Sequence, residues 1–76
     1  MSEMDLGIQP LDGLMARLGL SNADLVNVST QMLTFKMVQK GRKGRQLTRN
    51  VQRKILTALL TLRPDSGLTL KELFNY

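Results

Sequence analysis

The sequence predicts an all-α domain, a compact bundle of about five short helices. Apolar residues recur at steps of three and four through most of the chain, and no stretch alternates with period two for long enough to form a strand. Ser, Thr, Gly and Pro stand at the intervals that start and stop helices. Residues 1–9 show no periodicity and are expected to form a flexible N-terminal segment, with residues 10–76 as the single helical domain.

Pro10 suits a first helical turn, where its missing N–H would have no partner anyway. Leu11, Leu14, Met15 and Leu18 then define one apolar face, and Gly19 fits the stop, so the first helix is expected over 10–18. Ser21 followed by Asp24 has capping-box spacing and opens a helix of about two turns, with Ala23, Leu25, Val26 and Val28 as its apolar contacts. Ser29 or Thr30 caps a third helix from about 31 to 40, which leaves a very tight turn between the second helix and the third. Gly41 to Arg45, with two glycines and no apolar residue, reads as a loop. Thr48 caps a fourth helix over 48–62, with Val51, Ile55, Ala58, Leu59 and Leu62 along one face until Pro64 blocks extension. After an Asp65-Ser66-Gly67 turn, Thr69 and Glu72 repeat the capping-box spacing and open a last short helix carrying Leu70, Leu73 and Phe74.

The chain has 76 residues and neither Cys nor His, so disulfides, the usual zinc, haem and iron–sulfur ligand sets and triad chemistry are excluded. Its six acids, Glu3, Asp5, Asp12, Asp24, Asp65 and Glu72, are scattered without the spacing of a catalytic or metal-binding pair. No enzyme activity, cofactor or metal is expected. No apolar run approaches the roughly 18 to 20 residues that span a bilayer, and Met1 to Gly7 carries two acids where a secretory signal would be basic. The expectation is a soluble cytoplasmic protein with no membrane partner.

Charge points to a partner. The net charge of +5 conceals a segment, residues 25–64, with nine bases and no acid, between ends that are mildly acidic. Eight of the eleven bases fall in "KMVQKGRKGRQLTRNVQRK", Lys36 to Lys54. Such a block attracts polyanions, and each phosphate it neutralises releases counterions. Nucleic acid is the expected partner, double-stranded DNA first; the alternative is a basic surface that only solubilises a helix face and a loop.

Resolved at 100° per residue, the third helix divides into a broad arc of Leu33, Thr34, Phe35, Met37 and Val38 and a remaining side of Met32, Lys36, Gln39 and Lys40. The first arc is expected to be core, Phe35 included. The second fits a major groove, where Gln pairs with adenine and Lys reaches guanine or phosphate, with Gln31 placed for a first base contact. Met32 also suits a core gap. The only aromatic residues are Phe35, Phe74 and Tyr76, too few for a single-strand module that stacks bases on several exposed rings.

Within residues 11–62, "LSNADLVNVSTQMLTFKMVQKGRKG" resembles the second helix, turn, recognition helix and basic loop of the lambda repressor and Cro family of helix-turn-helix domains. In that likeness Leu20 and Ser21 open the unit, Ser29 replaces the usual turn glycine, and Phe35 and Val38 take the buried positions of the recognition helix. The unit is then one residue shorter than the family pattern, with Asp24 where an apolar residue is expected. The resemblance implies a sequence-specific, commonly dimeric transcriptional regulator. Gln31, Met32, Lys36, Gln39 and Lys40 would face the groove, and Arg42, Lys43 and Arg45 would hold phosphates from the loop. Arg49 and Arg53, four apart on the fourth helix, would extend that clamp. Two other readings stay open. One is an RNA- or ribosome-associated basic protein. The other is a helical protein-interaction module or homodimer docking through Met32, Leu70, Leu73, Phe74 and Tyr76.

Overall fold

Helix α1 (Pro10–Leu18) begins at the proline and ends where Gly19 turns left-handed. The computed structural model describes residues 7–75, and among them the chain forms an all-α bundle without strands. Ser21 caps α2 (Asn22–Val28) by a reciprocal pair: its Oγ accepts from Asp24 N at 3.2 Å, and Asp24 Oδ2 accepts from Ser21 N at 2.8 Å. Thr48 Oγ1 accepts from Val51 N at 3.3 Å and opens α4 (Arg49–Leu62). Thr69 N donates to Glu72 Oε1 at 3.2 Å at the head of α5 (Leu70–Leu73). These are the caps the sequence spacing predicts.

The third helix differs from its expectation at both ends. Helix α3 spans Phe35–Lys43, not 31–40. Ser29 Oγ accepts from Gln31 N within a local turn, Met32 adopts a left-handed backbone with φ 58°, and Thr34 Oγ1 accepts from Met37 N at 3.1 Å. The Ser29 and Thr30 hydroxyls therefore do not cap α3, because the chain must reverse at Met32 before a helix can start. The turn between α2 and α3 is six residues long, 29–34, and its left-handed position falls on Met32 and not on Ser29, whose φ is −74°. At the other end Gly41, Arg42 and Lys43 are helical, and the loop begins only at Gly44, φ 94°. Gly41 is buried in the seam between helices: a Cβ there would lie 3.0 Å from Leu47 Cδ1, 3.3 Å from Ile55 Cδ1 and 3.5 Å from Leu11 Cδ2. The residue read as a loop former is what lets α3 approach α4 and α1 closely.

The core lies where α4 meets α2, with α1, α3 and α5 closing round it. Leu11, Met15, Leu25, Val38, Ile55, Ala58, Leu59, Leu73 and Phe74 are buried there, joined by Leu33 from the long turn. Phe35 is not among them: it is 58% exposed, because the helix starts later and turns this position outward. Leu73 and Phe74, proposed above as docking residues, are inside the core, and Ala23 is exposed. Tyr76 lies outside the described residues.

Residues 1–6 of the expected flexible segment also lie outside the described residues, but 7–9 are docked. Gln9 is buried; its N donates to Arg42 O at 3.2 Å, and its Oε1 accepts from Asn75 N at 2.8 Å. No helix among the described residues is long and apolar enough to cross a membrane.

Candidate nucleic-acid interface

The outer face of α3 follows from which positions the core claims. Val38 and Gly41 face inward and Met37 is half-buried, so Phe35, Lys36, Gln39, Lys40 and Lys43 share the opposite arc, about 140° wide at 3.6 residues per turn. Four of the five are exposed and Gln39 is half-buried. Gln31 and Met32 precede this face in the turn, both exposed, Met32 at 85%. Arg45 follows it just past Gly44, and Arg49 and Arg53 stand exposed on the first turns of α4. The segment between Leu25 and Pro64 contains no carboxylate.

Arg42 sits differently from its neighbours. Its Nε donates to Asp12 Oδ1 at 2.7 Å and its Nη1 donates to Asn22 Oδ1 at 2.7 Å. This is the single ion pair among the described residues, and it ties α3 to α1 and α2. Asn22, only 5% exposed, continues the chain by donating from Nδ2 to Gln39 Oε1 at 2.8 Å. Of the ten residues expected to face nucleic acid, Arg42 is thus a link between helices, and Gln39 has one end of its amide engaged. The expectation that Arg42 and Lys43 extend from a loop is replaced by a helical last turn.

Asp12 and Asn22 were not legible as partners of this face. Asp12 stands among apolar residues of the first helix, and Asn22 reads as an ordinary first-turn residue beside its cap. A second group of polar and basic residues, Arg49, Lys71 and Asn75, lines an open groove of about 320 Å³ with Leu70 and Phe74, where α4 begins and α5 ends.

Chemically, the arrangement offers a row of ammonium and guanidinium donors along a convex helix and onto the next one, with an exposed aromatic ring at its head. That is suited to a ligand with regularly spaced anions and planar edges between them. Comparison with family models, curated proteins and solved structures returned no match for this chain.

Proposed function

We propose that this chain binds double-stranded DNA as a cytoplasmic transcriptional regulator of helix-turn-helix type, with the outer face of α3 presented to the major groove. The observation that carries the reading is the acid-free arc of Lys36, Lys40 and Lys43 on α3, continued by Arg49 and Arg53 on α4. The order of α2, a turn and an outward-facing α3 supports the likeness to the lambda repressor and Cro family, with a longer turn than the sequence pattern predicts.

In this reading Lys40, Lys43, Arg45, Arg49 and Arg53 hold phosphates, which fixes the position of α3 without selecting sequence. Phe35, Lys36 and Gln39 then lie toward base edges, with Gln31 and Met32 at the leading end. Phe35 has nothing to gain from a phosphate; the apolar feature that a major groove offers is the thymine methyl group. Arg42 is occupied within the protein and contacts no phosphate.

The test is titration of labelled protein with duplex DNA at several salt concentrations. Amide perturbations centred on residues 31–45, and an affinity falling with salt at a log–log slope of about −4 to −5 for about five phosphates, are the expected results. Equal affinity for structured RNA and for every duplex sequence would remove the specific regulator and leave a general polyanion binder.

A further inference from the structure

The chain of side chains running from Asp12 to Gln39 fixes more than the position of α3. A guanidinium only donates hydrogen bonds, so the Asn22 atom 2.7 Å from Arg42 Nη1 must be the oxygen. The other end of the Asn22 amide is then the NH2, which only donates, so the Gln39 atom 2.8 Å from it must also be an oxygen. Arg42 is held in turn by the Asp12 carboxylate. The orientation of two amides, ordinarily ambiguous, is set here by one guanidinium. Gln39 Oε1 is turned inward, and its Nε2 is the group left for a ligand on the outer face of α3.

Resting on the DNA reading above, we propose that Gln39 reads a base as a hydrogen-bond donor only, selecting a purine through N7, or through N7 and O6 when the base is guanine. This departs from the pairing that a free glutamine makes with adenine, in which its oxygen accepts from the 6-amino group while its nitrogen donates to N7. With Oε1 held by Asn22 that second bond is not formed, and the 6-amino group of adenine contributes nothing. Asn22 and Arg42 are positioning residues: neither touches the base, and both decide which end of Gln39 does.

The relay makes an unusual demand on a substitution away from the interface. In Asn22→Asp the carboxylate still accepts from Arg42 but cannot donate to Gln39. Gln39 then satisfies it by rotating its amide, with Nε2 inward and Oε1 outward. The wild-type glutamine is thereby converted from a donor to an acceptor, and preference moves to a base with an exposed amino group, adenine or cytosine. Gln39→Glu reaches the same outward polarity directly, because a carboxylate oxygen still accepts from Asn22 Nδ2 and the other oxygen faces out.

The experiment is selection of the full chain on a randomised duplex library, repeated with Gln39→Ala, Gln39→Glu and Asn22→Asp, each first checked for a cooperative thermal transition. The purine position whose preference disappears in Gln39→Ala is then altered chemically. Replacing its N7 by carbon is expected to weaken wild-type binding by about threefold to tenfold, the range of one neutral hydrogen bond, whereas an adenine lacking its 6-amino group binds within about twofold of the parent. Gln39→Glu, and Asn22→Asp if folded, shift the selected base to adenine or cytosine. A loss from deleting the 6-amino group as large as that from deleting N7 overturns the proposal. So does a selected site that Gln39→Ala leaves unchanged, although DNA binding itself then stands. No enrichment and no salt-dependent binding to any duplex removes the DNA reading, and this inference with it.

Discussion

Arg42 Nε lies 2.7 Å from Asp12 Oδ1, joining the last turn of α3 to the first turn of α1 where the sequence alone suggested a solvent-facing phosphate ligand. The two side chains are 21% and 37% exposed, so the pair is partly screened, but the same guanidinium also satisfies the buried Asn22 oxygen. Arg42→Ala leaves that oxygen without its donor, and the expected cost is about 1 to 3 kcal/mol. In a domain of this size each kcal/mol lowers Tm by roughly 4 to 8 °C. The salt slope for duplex binding is expected to stay unchanged. Lys43→Ala should do the reverse, leaving stability within about 0.5 kcal/mol and reducing the slope by about 0.9. Thermal melts and salt titrations of the two variants check this, and a reduced slope in Arg42→Ala would place that side chain on phosphate.

Met32 carries a backbone strain that its side chain does nothing inside the protein to offset. Its φ of 58° is in the left-handed region, and the side chain is 85% exposed. A left-handed conformation costs a residue with a Cβ roughly 1 to 2 kcal/mol, part of which glycine recovers against its own larger chain entropy. Met32→Gly is therefore expected to stabilise the fold by about 0.5 to 1 kcal/mol, seen as a higher Tm. Met32→Val, β-branched at the same φ, should lower it. If Met32→Gly also weakens duplex binding while it stabilises the fold, the methionine is retained for what it touches outside the chain.

That residue also shows where sequence reading stops. Four of the five helices were legible because their starts, Pro10, Ser21, Thr48 and Thr69, each carry a proline or a hydroxyl, two of them with capping-box spacing. Before the third helix the spacing points to Ser29 or Thr30, but the cap is Thr34, set by the reversal at Met32, which no glycine or proline announces. The four-residue displacement of the helix start then changed the setting of residues along α3 itself. Phe35 passed from core to surface, Gly41 from loop to helix seam, and Arg42 from solvent to Asp12. Charge was readable as an amount on this part of the chain, but its division between an internal link and an outward arc depended on contacts with α1 and α2, distant in sequence.

Gly44 is where the N-terminal segment is fastened. It has φ 94°, and a Cβ built there would collide with the Gly7 backbone. Next to this contact, Gln9 bonds Arg42 O on one side and Asn75 N on the other, so residues 7–9 bridge the end of α3 to the C-terminal end of the described chain. Gly44→Ala combines left-handed strain with a clash against backbone that has no soft side chain to yield. A loss of about 2 kcal/mol or more is expected. Hydrogen exchange should locate it: the Gln9 and Asn75 amides should lose protection while those of α4 change only with global stability. Uniform loss at all sites would mean that 7–9 is not a separately detachable strap.

Phe35 and Val38 stand one turn apart on α3 with opposite surroundings, one 58% exposed and the other fully buried. Val38→Ala should cost about 2 kcal/mol through lost burial and the cavity left in the core cluster that Val38 shares with the equally buried Leu11, Met15, Leu25, Ile55, Leu59 and Leu73. Phe35→Ala should change stability by no more than about 0.5 kcal/mol, since its ring is largely in water already. Its effect is expected on binding. The 5-methyl of thymine is the apolar feature a major groove offers such a ring, and covering one methyl is worth about 0.8 kcal/mol, or about fourfold in affinity. Wild-type protein should bind an alternating A·T duplex about fourfold more tightly than the same duplex with uracil for thymine. In Phe35→Ala that ratio should fall to about one, with the salt slope preserved. A ratio unaffected by the substitution would take Phe35 out of base recognition. Loss of the salt slope along with the ratio would mean that the variant had displaced α3 and not merely trimmed it.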